Sequence, residues 1–289
     1  MIDAHHHLWR YDPVELAWMT PEMGVIRRDF TVADLEPLAR AAGVVGTVAV
    51  QARRTEDETR RLLEAAAAHP LILGVVGWAD ATGERLEEVV EGFARDPGFV
   101  GLREVLHDMP RVDHATSAEH RRLVAAAARV DVAYDLLVRP EHLAAAASLV
   151  DEFPGVRFVV DHIGKPPRDE TAGGPLDERR ALWRRGMRAL AERPNVACKL
   201  SGLLTEGDWH AWRADEVVPF LDEVLEAFGP GRCMVGSDWP VCTLAAPYGE
   251  AMGLVADFAG RLSDGEREAV LEGTARSWYR LRTAGGVDA

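Results

Sequence analysis

The sequence predicts an α/β protein built as a closed (β/α)8 barrel. Short apolar, β-branched runs alternate with longer stretches rich in Ala, Leu, Glu and Arg, and the alternation repeats eight times along the chain. The turn after the first run holds His5-His6-His7, where an open doubly wound sheet would carry a glycine-rich phosphate loop.

Strands are expected at residues 2–5, 46–51, 72–78, 100–106, 133–138, 157–161, 196–199 and 232–236. Helices are expected at 31–42, 55–69, 84–94, 118–129, 140–153, 176–193, 215–228 and 264–279. Thr31 and Asp264 stand where N-caps belong, and Gly43 and Gly229 stand where helices stop. The Pro/Gly-containing stretch 164–175 reads as one long loop between a strand and a helix. With no linker, low-complexity tract or long charge run, residues 1–289 form a single expected domain.

Composition narrows the function classes. The chain carries 47 acidic against 33 basic residues, a formal charge of −14, which opposes nucleic-acid and anionic-membrane partners. Cys198, Cys233 and Cys242 are too widely spaced for a CxxC motif, and their odd number fits a reducing compartment. Asp3 and three histidines at the start exclude an apolar targeting segment, and no apolar run reaches the roughly 18 residues of a membrane span. A soluble cytoplasmic protein is expected; a homo-oligomer is left open.

A barrel places its chemistry at the C-terminal ends of its strands. Strand one ends in His5 and His7, two residues apart and therefore on one side of an extended chain. Two converging imidazoles can hold a divalent cation or polarise a carbonyl. Strand four delivers Arg103 with Glu104 beside it, strand six His162, strand seven Lys199 and Ser201, and strand eight Asp238. Lys199 follows a near-apolar run, so its ammonium needs a partner or a role. His107 lies just past strand four as a candidate pocket residue, whereas His69, His120, His142 and His210 fall away from strand ends. Trp9, Trp78, Trp209, Trp212 and Trp239 follow or end strands, where an aromatic face can stack on a sugar ring.

Several motifs carry a resemblance. Asp3-Ala4-His5-His6-His7-Leu8-Trp9, Gly101-Leu102-Arg103, the run from Asp135 to Leu143, Asp161-His162-Ile163-Gly164-Lys165-Pro166, the run from Asn195 to Gly202, and Gly236-Ser237-Asp238-Trp239-Pro240 follow one another in order. Together they resemble the lactonase branch of the amidohydrolase superfamily, which includes L-fuconolactonases, L-rhamnonolactonases, sulfomuconolactone hydrolases and pyrone-dicarboxylate lactonases. The resemblance implies a distorted TIM barrel of the amidohydrolase type, with Asp238 as the general base toward the attacking water. It also implies at most one divalent ion, zinc or manganese on His5, His7 and Asp238, or a metal-free site as in the pyrone-type enzymes. Tyr134-Asp135-Leu136 stands where a two-metal site would have its strand-five histidine, and Arg103 where it would have a carboxylatable lysine.

The resulting expectation is a hydrolase that opens the lactone ring of a sugar acid or similar small acid. Asp238, His162 and Lys199 carry the chemistry, with His162 polarising the carbonyl alongside Lys199 or Arg103, unless a metal does so. Arg103, His107, Trp9, Trp78, Ser201 and Trp239 bind the substrate. An anionic lactone would need a clamp, for which Arg103, Arg139 and Lys165 are candidates. The rivals are a metal-dependent non-oxidative decarboxylase and a catalytically silent binding barrel.

Overall fold

The computed structural model describes residues 1–168 and 175–281. Strands β1 (Ile2–His6), β2 (Gly46–Val50), β3 (Ile72–Gly77), β4 (Phe99–Glu104), β5 (Ala133–Leu136), β6 (Phe158–Val160), β7 (Val196–Leu200) and β8 (Cys233–Val235) lie in one sheet in chain order. Every neighbouring pair is parallel. The chain beyond β8 closes the ring: His6 bridges Trp239, the His7 N–H donates to Trp239 O (2.6 Å) and the Asp238 N–H to His5 O (2.8 Å). Among the described residues the barrel is thus nearly closed, with β1 and β8 joined through this extension rather than paired along their length.

The helices α1 (Val32–Ala41), α2 (Glu56–Ala68), α3 (Leu86–Phe93), α4 (Ala118–Arg129), α5 (Leu143–Glu152), α6 (Leu176–Ala191), α7 (Ala214–Phe228) and α8 (Tyr248–Ala259) follow the strands in turn. Their starts are written in the sequence. Thr31 and Asp34 close a capping box on α1, and the Thr55 and Ser117 hydroxyls accept the Glu58 and His120 N–H groups. Gly43 and Gly229, with φ of +72° and +74°, end α1 and α7 as expected.

Three expectations are corrected. The cap of the last helical stretch is Ser263, boxed with Glu266, and Asp264 is already the first helical residue of α9 (Asp264–Glu268). That stretch is helical from 264 to 279 as expected but not of one type, because a π-turn at Ala269–Gly273 stands between α9 and α10 (Thr274–Tyr279). Helix α8 was not anticipated: Gly249 and Gly253 and its mostly apolar composition hide the helical period. The expected loop 164–175 falls largely on 169–174, outside the described residues.

Two hydrophobic cores follow from strand alternation. The larger joins the outward faces of the strands to the helices. The smaller gathers Ile2, Ala4, Val48, Val50, Val76, Ala133, Val159, Ala197 and Met234, contributed by different strands, with Ala275, Tyr279 and Leu281 from the end of the described chain. Helix α10 thus plugs the N-terminal end of the barrel, where Trp278 Nε1 donates to Phe158 O (3.0 Å) and Arg157 Nε to Trp278 O (2.8 Å). Among the described residues no helix is long and apolar enough to cross a membrane.

Candidate active site

At the opposite end of the barrel lies a cavity of about 1150 Å³. His7, Arg103, His162 and Asp238 contribute to its lining, together with Arg54, His107, Arg139, Lys165, Glu206, Trp18 and Trp209 from the loops. Each of these deep groups has a local reason to be there.

In β1 the register shifts between Asp3 and His6, a bulge that alters the simple alternation. His6 turns outward to Thr47 Oγ1 (3.0 Å), while His5 and His7 face each other with their Nε2 atoms 3.3 Å apart. Asp3 anchors this strand end to the β8 extension: its carboxylate accepts from the His5 N–H (3.1 Å), the Ser237 N–H (2.8 Å) and hydroxyl (2.6 Å), and the Tyr248 hydroxyl (3.0 Å).

After β6 the chain makes a left-handed turn. His162, Ile163, Gly164 and Lys165 have φ of 53°, 45°, 67° and 49°, a conformation that is costly for a β-branched residue such as Ile163. Trp183 Nε1 on the Ile163 carbonyl (2.7 Å) helps to hold it. The turn sends the His162 and Lys165 side chains into the same cavity. Gly202 makes room for the imidazole: its φ is +68°, and a Cβ there would lie 2.4 Å from His162 Nδ1. That nitrogen instead meets Ser201 Oγ at 2.9 Å.

Asp238, also left-handed (φ 57°), brings Oδ1 to 3.4 Å from His7 Nε2, 3.8 Å from His5 Nε2 and 3.7 Å from His162 Nε2. Burial opposes its ionisation, but the three imidazoles outweigh burial and hold the carboxyl well below the usual range. Burial lowers His162 to about 4 despite the Asp238 charge, and lowers His5 well below an ordinary histidine. At neutral pH the centre therefore holds a carboxylate beside neutral His5 and His162, as base chemistry requires.

The donor set suits one divalent cation. The His7 Nδ1–H faces Val50 O at 2.8 Å, which leaves the Nε2 lone pair directed at His5 and Asp238. Ligand atoms on a tetrahedral zinc with bonds of about 2.0–2.1 Å stand roughly 3.3 Å apart. The separations among His5 Nε2, His7 Nε2 and Asp238 Oδ1 are 3.3, 3.4 and 3.8 Å.

Beneath this layer lies a buried ionic network. Lys199 Nζ sits 2.6 Å from Asp135 Oδ2, 3.0 Å from Asp161 Oδ1 and 3.1 Å from His5 Nδ1. Asp161 Oδ2 accepts from Arg103 Nη1 (2.8 Å), and the Tyr279 hydroxyl reaches both Asp135 oxygens (2.7 and 2.8 Å). Arg103 Nη1 also lies 3.3 Å from His5 Nε2, while its buried Nε has no partner among the described residues.

The structure brings together His7, Arg103, His162, Asp238 and His107 of the expected site and places the others elsewhere. His5 touches this centre but lies under the cavity floor, as does Lys199, whose side chain is fully buried by its ion pairs. Ser201 stands behind His162 rather than on the wall. Of the three tryptophans expected to bind substrate, none lines the cavity. Trp9 packs on Phe30 with its N–H on Arg28 O, and Trp239 also packs edge-on with Phe30. Trp78 donates to Glu104 Oε2. Once the chain leaves a strand it turns back over the outer core, and the Trp9 and Trp239 rings are spent there. Trp18 and Trp209 line the cavity instead. Sequence reasoning also passed over Asp161, Asp135 and Glu206. The first two share the inward parity of Val159 and Ala133, a signal that was available; Glu206 lies on a loop with no period to read.

A parallel barrel that collects histidines, an arginine and an ionised aspartate at its C-terminal mouth is an enzyme scaffold with a cation-competent centre. The family model described as Amidohydrolase matches residues 2–281, and the chain belongs to that family. It is similar to the L-fucono-1,5-lactonase of Burkholderia multivorans (strain ATCC 17616 / 249), 41% identical over 291 residues that cover 97% of this chain and 96% of that one. The L-fucono-1,5-lactonase of Burkholderia ambifaria is 36% identical, covering 99% and 97%. Among solved structures, a Burkholderia multivorans amidohydrolase with bound zinc superposes with a TM-score of 0.91 at 40% identity, covering 97% of this chain and 99% of that one.

Proposed function

We propose that this protein hydrolyses the lactone of a sugar acid, of the L-fucono-1,5-lactone type. The observation that carries the reading is the Asp238 carboxylate, held ionised at the floor of a cavity beside neutral His162 and the Arg103 guanidinium. The relatives named above support the substrate class.

In this reading Asp238 takes a proton from water as the water oxygen bonds to the lactone carbonyl carbon. Arg103, which lines the cavity, sets a fixed positive charge beside the carbonyl oxygen on which negative charge develops. The ring C–O bond then breaks, and the proton held by Asp238, directly or through His162 at 3.7 Å, passes to the leaving oxygen. The product is a hydroxy acid, which ionises. His5, His7 and Asp238 would hold a divalent ion, which when bound polarises the carbonyl and acidifies water. Lys199 and Ser201 act by positioning His5 and His162, respectively. Residues 1–289 are taken as one domain, and the three buried free cysteines fit a cytoplasmic setting.

The test is a pH-indicator assay with sugar-acid lactones, muconolactones and pyrone carboxylates, run beside Asp238→Asn. Asn tolerates the left-handed backbone at this position, so the variant should fold. Turnover should fall by a factor on the order of a hundred or more. Near-normal turnover in the variant removes Asp238 as base, and release of carbon dioxide from aromatic acids without lactone opening replaces the hydrolase reading with a decarboxylase.

A further inference from the structure

We propose that Glu206, Arg139 and Lys165 form a subsite for a substrate hydroxyl, which selects neutral, polyhydroxylated lactones over carboxylated ones. The inference rests on the lactone reading and extends it to the part of the substrate away from the reacting carbonyl.

All three side chains line the cavity. The Glu206 side chain is only 13% exposed, and its Oε1 is taken by the Lys165 ammonium. Its Oε2 lies 3.9 Å from Arg139 Nη1, too far for a hydrogen bond, and accepts none from the described residues. Burial works against the charge of Glu206, but Lys165 and then Arg139 outweigh burial and keep it a carboxylate. The wall therefore presents an ionised acceptor and a guanidinium donor separated by a gap. A hydroxyl both accepts and donates, so one oxygen can close the gap with two charge-assisted bonds of about 2.8 Å. On the same wall His107 has a buried Nδ1 without a partner among the described residues, while its Nε2 faces Asp108 at 3.2 Å. The residue lines the cavity and brings a further polar group beside the trio.

A carboxylate fits the same place poorly. An ionised carboxylate has no proton to give Glu206 Oε2, so it can bond only the cations and sets its charge against that oxygen. Three other cations of the cavity are matched by acids of the protein. Arg54 Nε pairs with Glu104 (2.8 Å), Arg53 with Glu58 (3.2 Å) and Glu15, and Arg103 with Asp161 (2.8 Å). Of the three residues that could clamp an anionic lactone, Arg103 and Lys165 are engaged by the protein's own acids, and Arg139 faces Glu206 across the gap. Lys165 also belongs to the left-handed turn that carries His162, so a hydroxyl held here registers the ring against the catalytic group.

The test is equilibrium binding by calorimetry of two six-membered lactams, whose amide resists opening: one carrying ring hydroxyls, the other unsubstituted piperidin-2-one. The wild type should bind the hydroxylated lactam more tightly. Glu206→Gln should weaken that binding by about ten- to a hundredfold while leaving piperidin-2-one unchanged, since only the charged acceptor is lost. Arg139→Met, on a separate loop, should give the same selective loss if Glu206→Gln does not fold. In turnover, both variants should raise KM for hydroxylated lactones more than they lower kcat. Equal losses for the two lactams, no loss, or wild-type preference for a pyrone dicarboxylate would each overturn the subsite. Lactam binding needs no hydrolysis, so selective loss in a protein that opens no lactone would overturn the enzymatic reading and leave the subsite standing.

Discussion

Lys199 Nζ lies 2.6 Å from Asp135 Oδ2 inside the barrel, and neither side chain has any solvent exposure. The pair links two levels of the molecule. Below it the Tyr279 hydroxyl of the helix that plugs the barrel holds Asp135, and above it Lys199 reaches Asp161 and His5. The C-terminal helix is thereby coupled to the floor of the candidate active site through four side chains.

Replacing one member of such a pair strands the other charge. Lys199→Met should lower stability by about 3–5 kcal/mol in urea titrations, the range for a broken buried ion pair. Lys199→Met combined with Asp135→Leu should recover part of that loss, because the stranded carboxylate is gone. A carbonyl-polarising lysine behaves differently: the single variant would keep its stability and lose turnover, and that result would return Lys199 to the catalytic groups.

The fold was legible in strand and helix periodicity, and so was the direction of most inward side chains. Depth was not. Lys199 and Asp238 are both inward residues near strand ends, yet one lies in the buried network and the other on the cavity floor. Their relative height depends on the stagger between strands around the ring, which no single strand encodes. The bulge in β1 is similarly invisible, although its consequence, two facing histidines, was expected. Trp9 and Trp239 do not line the cavity because the chain leaves its strand just before them and enters the outer core. Glu206 carries no periodic signature, and only its meeting with Lys165 across the cavity marks it out.

Gly202→Ala tests how His162 is held. A Cβ at this residue would meet the imidazole Nδ1 at 2.4 Å and would have to adopt a φ of +68°. The backbone term alone costs about 1–2 kcal/mol, and the ring must also move away from Ser201 and Asp238. Thermal unfolding should show lower stability, and kcat should fall by more than KM changes. A variant with wild-type kcat would show that the His162 position is not needed for turnover.

Stability should fall on acidification from buried histidines. Burial lowers His6 and His120 to about 3 and His162 to about 4. Each folded value lies below the unfolded value of about 6.5, so protons bind the unfolded chain more tightly. Their contribution is complete above about pH 6.5 and is lost as pH falls through that value toward the folded ones, by up to about 1.4 kcal/mol per pH unit for each histidine. Urea titrations at pH 7.5 and 5 should show the loss. His120→Gln, which removes a titrating group from α4 that does not line the cavity, should make the difference smaller; an unchanged difference would take His120 out of the account.

The last prediction concerns metal stoichiometry. Two overlapping groups of donors are present: His5, His7 and Asp238, and His5, Asp161 and His162. They share His5, so they compete for it. The second group is also already engaged. Asp161 takes Lys199 at 3.0 Å and Arg103 at 2.8 Å, and a divalent ion on it would sit against two fixed positive charges. The first group has one carboxylate, a His7 tautomer set by Val50 O, and separations suited to a tetrahedral ion. Metal analysis of the purified protein should therefore find about one divalent ion per chain, zinc or manganese, and His7→Ala should lose it while His162→Ala retains it. Two tightly bound ions per chain would fill both groups and overturn the competition, and retention by His7→Ala with loss in His162→Ala would move the ion to the second group. That outcome would require Lys199 or Arg103 to release Asp161, which the Lys199→Met stability measurement would then detect as a loss much smaller than that of a broken buried ion pair.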